Sequence, residues 1–189
     1  MATRKLPAWA DYGLLPLLNL GLAFLVSGLV VVMLGESPFQ AVETLVYGAF
    51  GSGEAVGYTL YYATNLIFTG LAVALAFHAG LFNIGGEGQA YLGGQHRVIL
   101  GFSGGYGFAG IAVALMGRNH PVGVILSALL FGALYQGGTE LAFEMPRINK
   151  DLVVVIQGLV ILFAGALENM LRPQVEALFA RRTHAPVPA

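Results

Sequence analysis

The chain has no cysteine. Disulfides, thiolate nucleophiles and cysteine-ligated metals are therefore excluded, and the redox compartment leaves no mark on the sequence. Charge is scarce too: 10% of residues are Asp, Glu, Lys or Arg, against about a quarter in soluble proteins. Nine Lys and Arg against ten Asp and Glu give a formal charge of −1, so the basic footprint of phosphate-backbone binding is missing and no nucleic-acid partner is expected. No G-x-x-x-x-G-K-[ST] loop occurs, which removes P-loop ATP hydrolysis. Nor is there an H-E-x-x-H, and His78, His96, His120 and His184 lack any spacing that would gather zinc ligands on one helix face. No metal, cofactor or catalytic residue is expected, and the chain is not read as an enzyme.

What remains is apolar. Hydrophobic residues make up 57% and the mean hydropathy is +0.74, values of a membrane protein. The expected fold is all-α, a polytopic transmembrane helical bundle. Its 27 glycines fit that setting, because small residues let helices approach closely in lipid and neighbouring helices satisfy the backbone that glycine loosens.

The uncharged run Gly13 to Leu34 predicts a first span of about 33 Å, enough to cross a hydrocarbon core of about 30 Å. Gly21, Gly28 and Gly35 recur along it every seven residues, which fits a tight helix seam and equally fits ordinary membrane glycine. Pro38 is placed to start a short helix in an acidic connection, Glu36 to Glu54, expected outside. Ala55 to Phe77 predicts a return span in which Tyr58, Tyr61, Tyr62, Asn65 and Thr69 share one polar face. That face serves interhelical hydrogen bonding or lines a solute path.

Phe82 to Gly107 resists a continuous span: glycines punctuate it, and His96 and Arg97 sit in its middle. Gly107 to Met116 is apolar for half a membrane only, which predicts a broken or re-entrant helix. Val122 to Gly137 follows as a helix of marginal spanning length, then a polar loop from Gly138 to Lys150, then a last helix from Leu152 to about Leu171 closed by Pro173. Four full spans put both termini on one side. The positive-inside count makes that side cytoplasmic, with only Arg147 and Lys150 on the other. An echo, GLAVAL at 70–75 and GIAVAL at 110–115, raises the paired interrupted segments of repeat-built transporters, against a background in which such short apolar matches arise easily.

Glu87 is the residue most in need of explanation, because a carboxylate at membrane depth costs about 2.5–3.5 kcal/mol on insertion scales. It could relay a proton or ion, contact a solute, or brace the loosened amides of the structural break at Gly85, Gly86 and Gly88. The bracing role is the expectation.

Gly70 to Gln89, GLAVALAFHAGLFNIGGEGQ, resembles the signature of permease subunits of bacterial ABC importers of the nucleoside and simple-sugar class. The stretches 104–138 and 148–168 resemble the carboxy-terminal half of the same family. His78 stands where an arginine is expected, and Gly86 where alanine is commoner. Between the two blocks, Gln89 to Gly94 passes almost directly into His96 to Leu100, where the family continues through further helices and a coupling segment. Residues 1–95 thus resemble the family's amino-terminal part and 96–171 its carboxy-terminal part, with 172–189 a cytoplasmic tail of one membrane domain.

The resemblance implies inward movement of nucleosides or related small polar solutes through the bacterial cytoplasmic (inner) membrane. The implied partners are a separate ATPase subunit, a second permease subunit, an extracytoplasmic solute-binding lipoprotein and membrane lipids. Residues that could line the path are Tyr62, Asn65, Asn83, Glu87 and Gln89. The alternative is an internally truncated, non-transporting remnant or assembly partner.

Overall fold

The computed structural model describes residues 7, 9–81, 105–165 and 171–177, and the regular structure among them is helical throughout. A π-helical turn, Ala10–Leu14, leads directly into α1, Leu15–Met33, so Pro16 lies within one continuous helical run, and the widened turn stands just before the position where proline's missing N–H interrupts the ladder. Gly35 closes α1 in the left-handed region (φ +78°), letting the Glu36 amide reach back to the Val31 carbonyl at 3.2 Å. Helix α2, Pro38–Phe50, starts at the expected proline, with Ser37 as its N-cap. Helix α3, Gly53–His78, is capped by the Ser52 hydroxyl, which accepts from the Ala55 amide at 3.0 Å. The described chain resumes with α4, Tyr106–Met116, as short as the half-membrane run predicted. There follow α5, Pro121–Glu144, then α6, Lys150–Gly165, and a helical stretch of about two turns, α7, at 171–177.

Three of these helices, α1, α3 and α5, are long and apolar enough to cross a membrane. Helix α6 is apolar but shorter among the described residues, and the glycine-rich segment 82–104 lies outside them. Two boundaries differ from expectation. Gly137 reads as the end of a helix and Gly138 as the start of a polar loop, yet α5 runs on to Glu144 because both glycines are packing surfaces: Leu45 of α2 sits against the first and Val153 of α6 against the second. Residues 171–177 are helical through Pro173, so that proline does not close the helical structure where expected.

The two ends of the bundle differ in charge. Asp11, Arg118 and Arg172 meet at one end, whereas Arg147 lies 3.7 Å from Glu36 at the other. The relative placement of these arginines follows the predicted alternation of spans.

In lipid, association rests on close packing more than on apolar transfer, so glycine sites decide where backbones meet. At Gly132 of α5 a Cβ would lie 2.5 Å from the Thr59 carbonyl oxygen and 2.9 Å from the Ala63 nitrogen of α3. The two GxAVAL segments pack on each other: Gly70 receives Val113, 2.9 Å from where a Cβ would stand, and Gly110 receives Thr69 at 2.8 Å. Around these contacts Leu66, Val73, Val113, Val124, Phe131 and Leu134 form the main buried cluster. Helix α1 joins it differently from its glycine spacing. Gly21 meets nothing and Gly28 only Pro38 at 3.5 Å, while the buried stripe is Leu15, Asn19, Ala23, Ser27 and Val31. That stripe recurs every four residues and α1 packs chiefly along α6.

Candidate functional site

Of the residues predicted to line a path, Tyr62 and Asn65 are described; Asn83, Glu87 and Gln89, with the break at Gly85, Gly86 and Gly88, lie outside the described residues. Tyr62 and Asn65 are both half-buried on α3, three residues apart and hence on neighbouring positions of one face. The Tyr62 ring stacks on Tyr135 of α5, with centroids 5.7 Å apart and planes 26° from parallel, and meets the edge of Tyr61 at 5.6 Å. Tyr135 is the stacking partner that sequence reading missed. Its spacing within α5 marks no polar stripe, and only the α3–α5 crossing brings the two rings together.

The rest of the predicted polar face divides. Tyr58 and Tyr61 are exposed, whereas Thr69 is buried against Gly110. Its hydrogen bonds turn inward on its own helix. The Thr69 hydroxyl donates to the Asn65 and Leu66 carbonyls at 3.0 and 3.3 Å, and the Asn65 side-chain amide donates to the Tyr61 carbonyl at 3.3 Å. This local bonding satisfies polar groups in lipid without a partner helix. Thr59, outside the predicted set, makes the interhelical bond instead, donating to the Ala49 carbonyl of α2 at 2.9 Å.

A second feature lies at the end where α1 and α5 begin. Both guanidinium groups there bond to a single carboxylate oxygen, Asp11 Oδ1: Arg118 Nη1 at 3.2 Å and Arg172 Nη2 at 2.7 Å. Arg172 also lies 3.6 Å from Glu176, one turn on. Arg118 and Asn119 both hold positive φ, +54° and +55°, in the turn from α4 to α5. Asparagine tolerates that conformation better than arginine does. The turn is tight because Gly117 and Gly123 place their backbones in contact, with no room for a Cβ on either.

Beside this turn opens a cavity of about 740 Å³. Pro16, Leu17 and Leu20 of α1 form one wall and Leu126 and Leu130 of α5 the other, with Arg118 and His120 at the end nearest the ion pairs. Tyr62, Asn65 and Tyr135 do not line it. The aromatic pair and the cavity are therefore separate places.

Fold and surface together define a polytopic helical membrane protein whose spans meet at glycine seams. Comparison with known proteins narrows the class to relatives of ABC transporter permeases. The chain is 45% identical over 92 residues to a glucose ABC transporter permease of Haloferax volcanii, a match covering 48% of this chain and 23% of that protein. It is 39% identical over 80 residues to a nucleoside ABC transporter permease of Lactococcus lactis, covering 42% of this chain and 22% of that one. To a guanosine ABC transporter permease of Bacillus subtilis it is 40% identical over 88 residues, with 47% and 25% covered. The matched stretches thus span about a quarter of each curated relative. No family model and no solved structure matches the chain.

Proposed function

We propose that this chain is membrane-spanning permease sequence of an ABC importer for nucleosides or simple sugars, working with a separate ATPase, a second permease subunit and a solute-binding lipoprotein. The observation that carries it is the similarity, over about half the chain, to permeases named for glucose, nucleoside and guanosine transport. Both termini lie in the cytoplasm of a bacterial cell, on the side holding Arg118 and Arg172. The solute passes along the α3 face carrying Tyr62 and Asn65 and beside Asn83, Glu87 and Gln89. Such a passage binds weakly by design, since transport needs release as much as capture. Aromatic rings at Tyr62 and Tyr135 offer faces on which a nucleobase or sugar ring can rest.

The test is co-purification with the cognate ATPase, then solute-dependent ATP hydrolysis in liposomes. Hydrolysis stimulated by nucleoside or sugar supports the reading, and a chain that inserts but captures no ATPase overturns it.

That second outcome favours the other reading, an internally shortened remnant or assembly partner. What supports it is the near-direct passage from the Gln89 block into His96 to Leu100, together with the short share of each relative that is matched. Reading the gene independently across codons 90–100 tests the junction: intervening sequence found there removes the remnant.

A further inference from the structure

We infer that the cavity between α1 and the α4–α5 turn seats an anionic phospholipid, its acyl chain along the leucine walls and its phosphate at Arg118. The profile of the cavity carries this. Along its length it offers Pro16, Leu17, Leu20, Leu126 and Leu130, and the polar side chain on those walls is Ser127 alone, which is buried. A sugar or nucleoside needs several convergent hydrogen-bonding groups to replace its water, and these walls do not supply them.

Polarity is gathered at one end. Arg118 and His120 are the ionisable side chains on the cavity wall, and they stand where α1 and α5 both begin, at the level of a membrane surface if those helices span. The first-turn amides of α5, at Val122 and Gly123, open at the same end, and no side chain caps that terminus. Asp11 and Glu176 answer the arginines but are not on the cavity wall. Asp11 holds the guanidinium of Arg118 in place, so less of its freedom is lost when a phosphate arrives.

The sides are open. Leu17 and Leu126, one on each wall, are 67% and 63% exposed, so the groove faces the surrounding acyl chains along its flank. An apolar length with a cation at the headgroup end complements one molecule of the bilayer, a lipid with a negative headgroup.

The full chain, purified in mild detergent, is titrated with phosphatidylglycerol or phosphatidylcholine of identical acyl chains and weighed intact by native mass spectrometry. Phosphatidylglycerol should be held about fivefold more tightly, the worth of one cation near a membrane surface. Arg118→Gln should erase that ratio while leaving phosphatidylcholine retention unchanged. Leu126→Trp, which fills the groove from an exposed position, should weaken both lipids without loss of helicity. Equal retention of the two lipids overturns the inference, as does a preference that survives Leu126→Trp in a folded protein. Displacement by inorganic phosphate also overturns it, since that marks a site for a free anion. Should Arg118→Gln fail to fold, the Leu126→Trp result decides alone.

Discussion

Replacing Gly132 by alanine tests whether glycine seams hold the bundle together. The added Cβ would stand 2.5 Å from the Thr59 carbonyl oxygen, about 0.9 Å short of ordinary contact, with the Ala63 nitrogen at 2.9 Å. Both obstacles are backbone, so no rotamer change relieves them and α3 must move away from α5 by most of an ångström. A radial gap of about 0.5–1 Å forfeits a quarter to a half of each dispersion contact along the seam. In lipid no hydrophobic transfer offsets that loss. The expected cost is about 1–3 kcal/mol, the range for overpacked cores. Gly57→Ala is the control: that glycine is exposed on the same α3 with nothing within 4 Å, so stability should hold or rise by up to about 1 kcal/mol. Unfolding in mixed micelles, followed by helicity as sodium dodecyl sulfate is added, measures both. Equal midpoints for Gly132→Ala and the parent chain would refute the idea that close approach at this seam stabilises the fold.

Thr59→Val keeps the shape but removes the donor to the Ala49 carbonyl, and should cost about 1 kcal/mol in the same titration. Asp11→Asn weakens the ion pairs of Arg118 and Arg172 at once; with Arg172 42% exposed the loss should be about 1–2 kcal/mol, read as earlier unfolding and faster proteolysis beyond residue 165. Gly123→Ala forces apart the Gly117 and Gly123 backbones and should lower the yield of folded protein more than Gly132→Ala does, measured by monodisperse recovery in detergent. Tyr62→Ala should leave unfolding within about 1 kcal/mol of the parent while lowering solute-stimulated ATP hydrolysis in the assembled importer. A variant that lost stability but kept stimulation would reassign the ring to packing.

Where information is local, the sequence announced the structure. Pro38 starts α2 as expected, and the half-membrane run ending at Met116 is α4, because a proline's fixed backbone and apolar length act within a few residues. Glycine was harder to read, because one residue type serves opposite ends. Gly35 terminates a helix, whereas Gly137 and Gly138 continue one by receiving Leu45 and Val153, and only the neighbour decides between them. The polar face of α3 was legible as a period but not as a purpose: its carbonyl-directed bonds satisfy Thr69 and Asn65 locally, and Tyr62 found a partner on another helix. Least legible was the Asp11 cluster. Its members are 107 and 161 positions from Asp11 in sequence, so no window along the chain contains them.

That distance has a consequence for how the protein is made. Asp11 emerges early in synthesis, Arg118 only after the α3 span, and Arg172 near the end. Until then the carboxylate waits in water at the membrane surface, where a charge is cheap to keep. The cluster can close only once Arg118 and Arg172 stand at the same end of the bundle as Asp11. A chain that leaves Arg172 at the other end deprives Asp11 of that partner and loosens the early segment. Such a segment is what a membrane protease can grip, which would sort misinserted copies from finished ones.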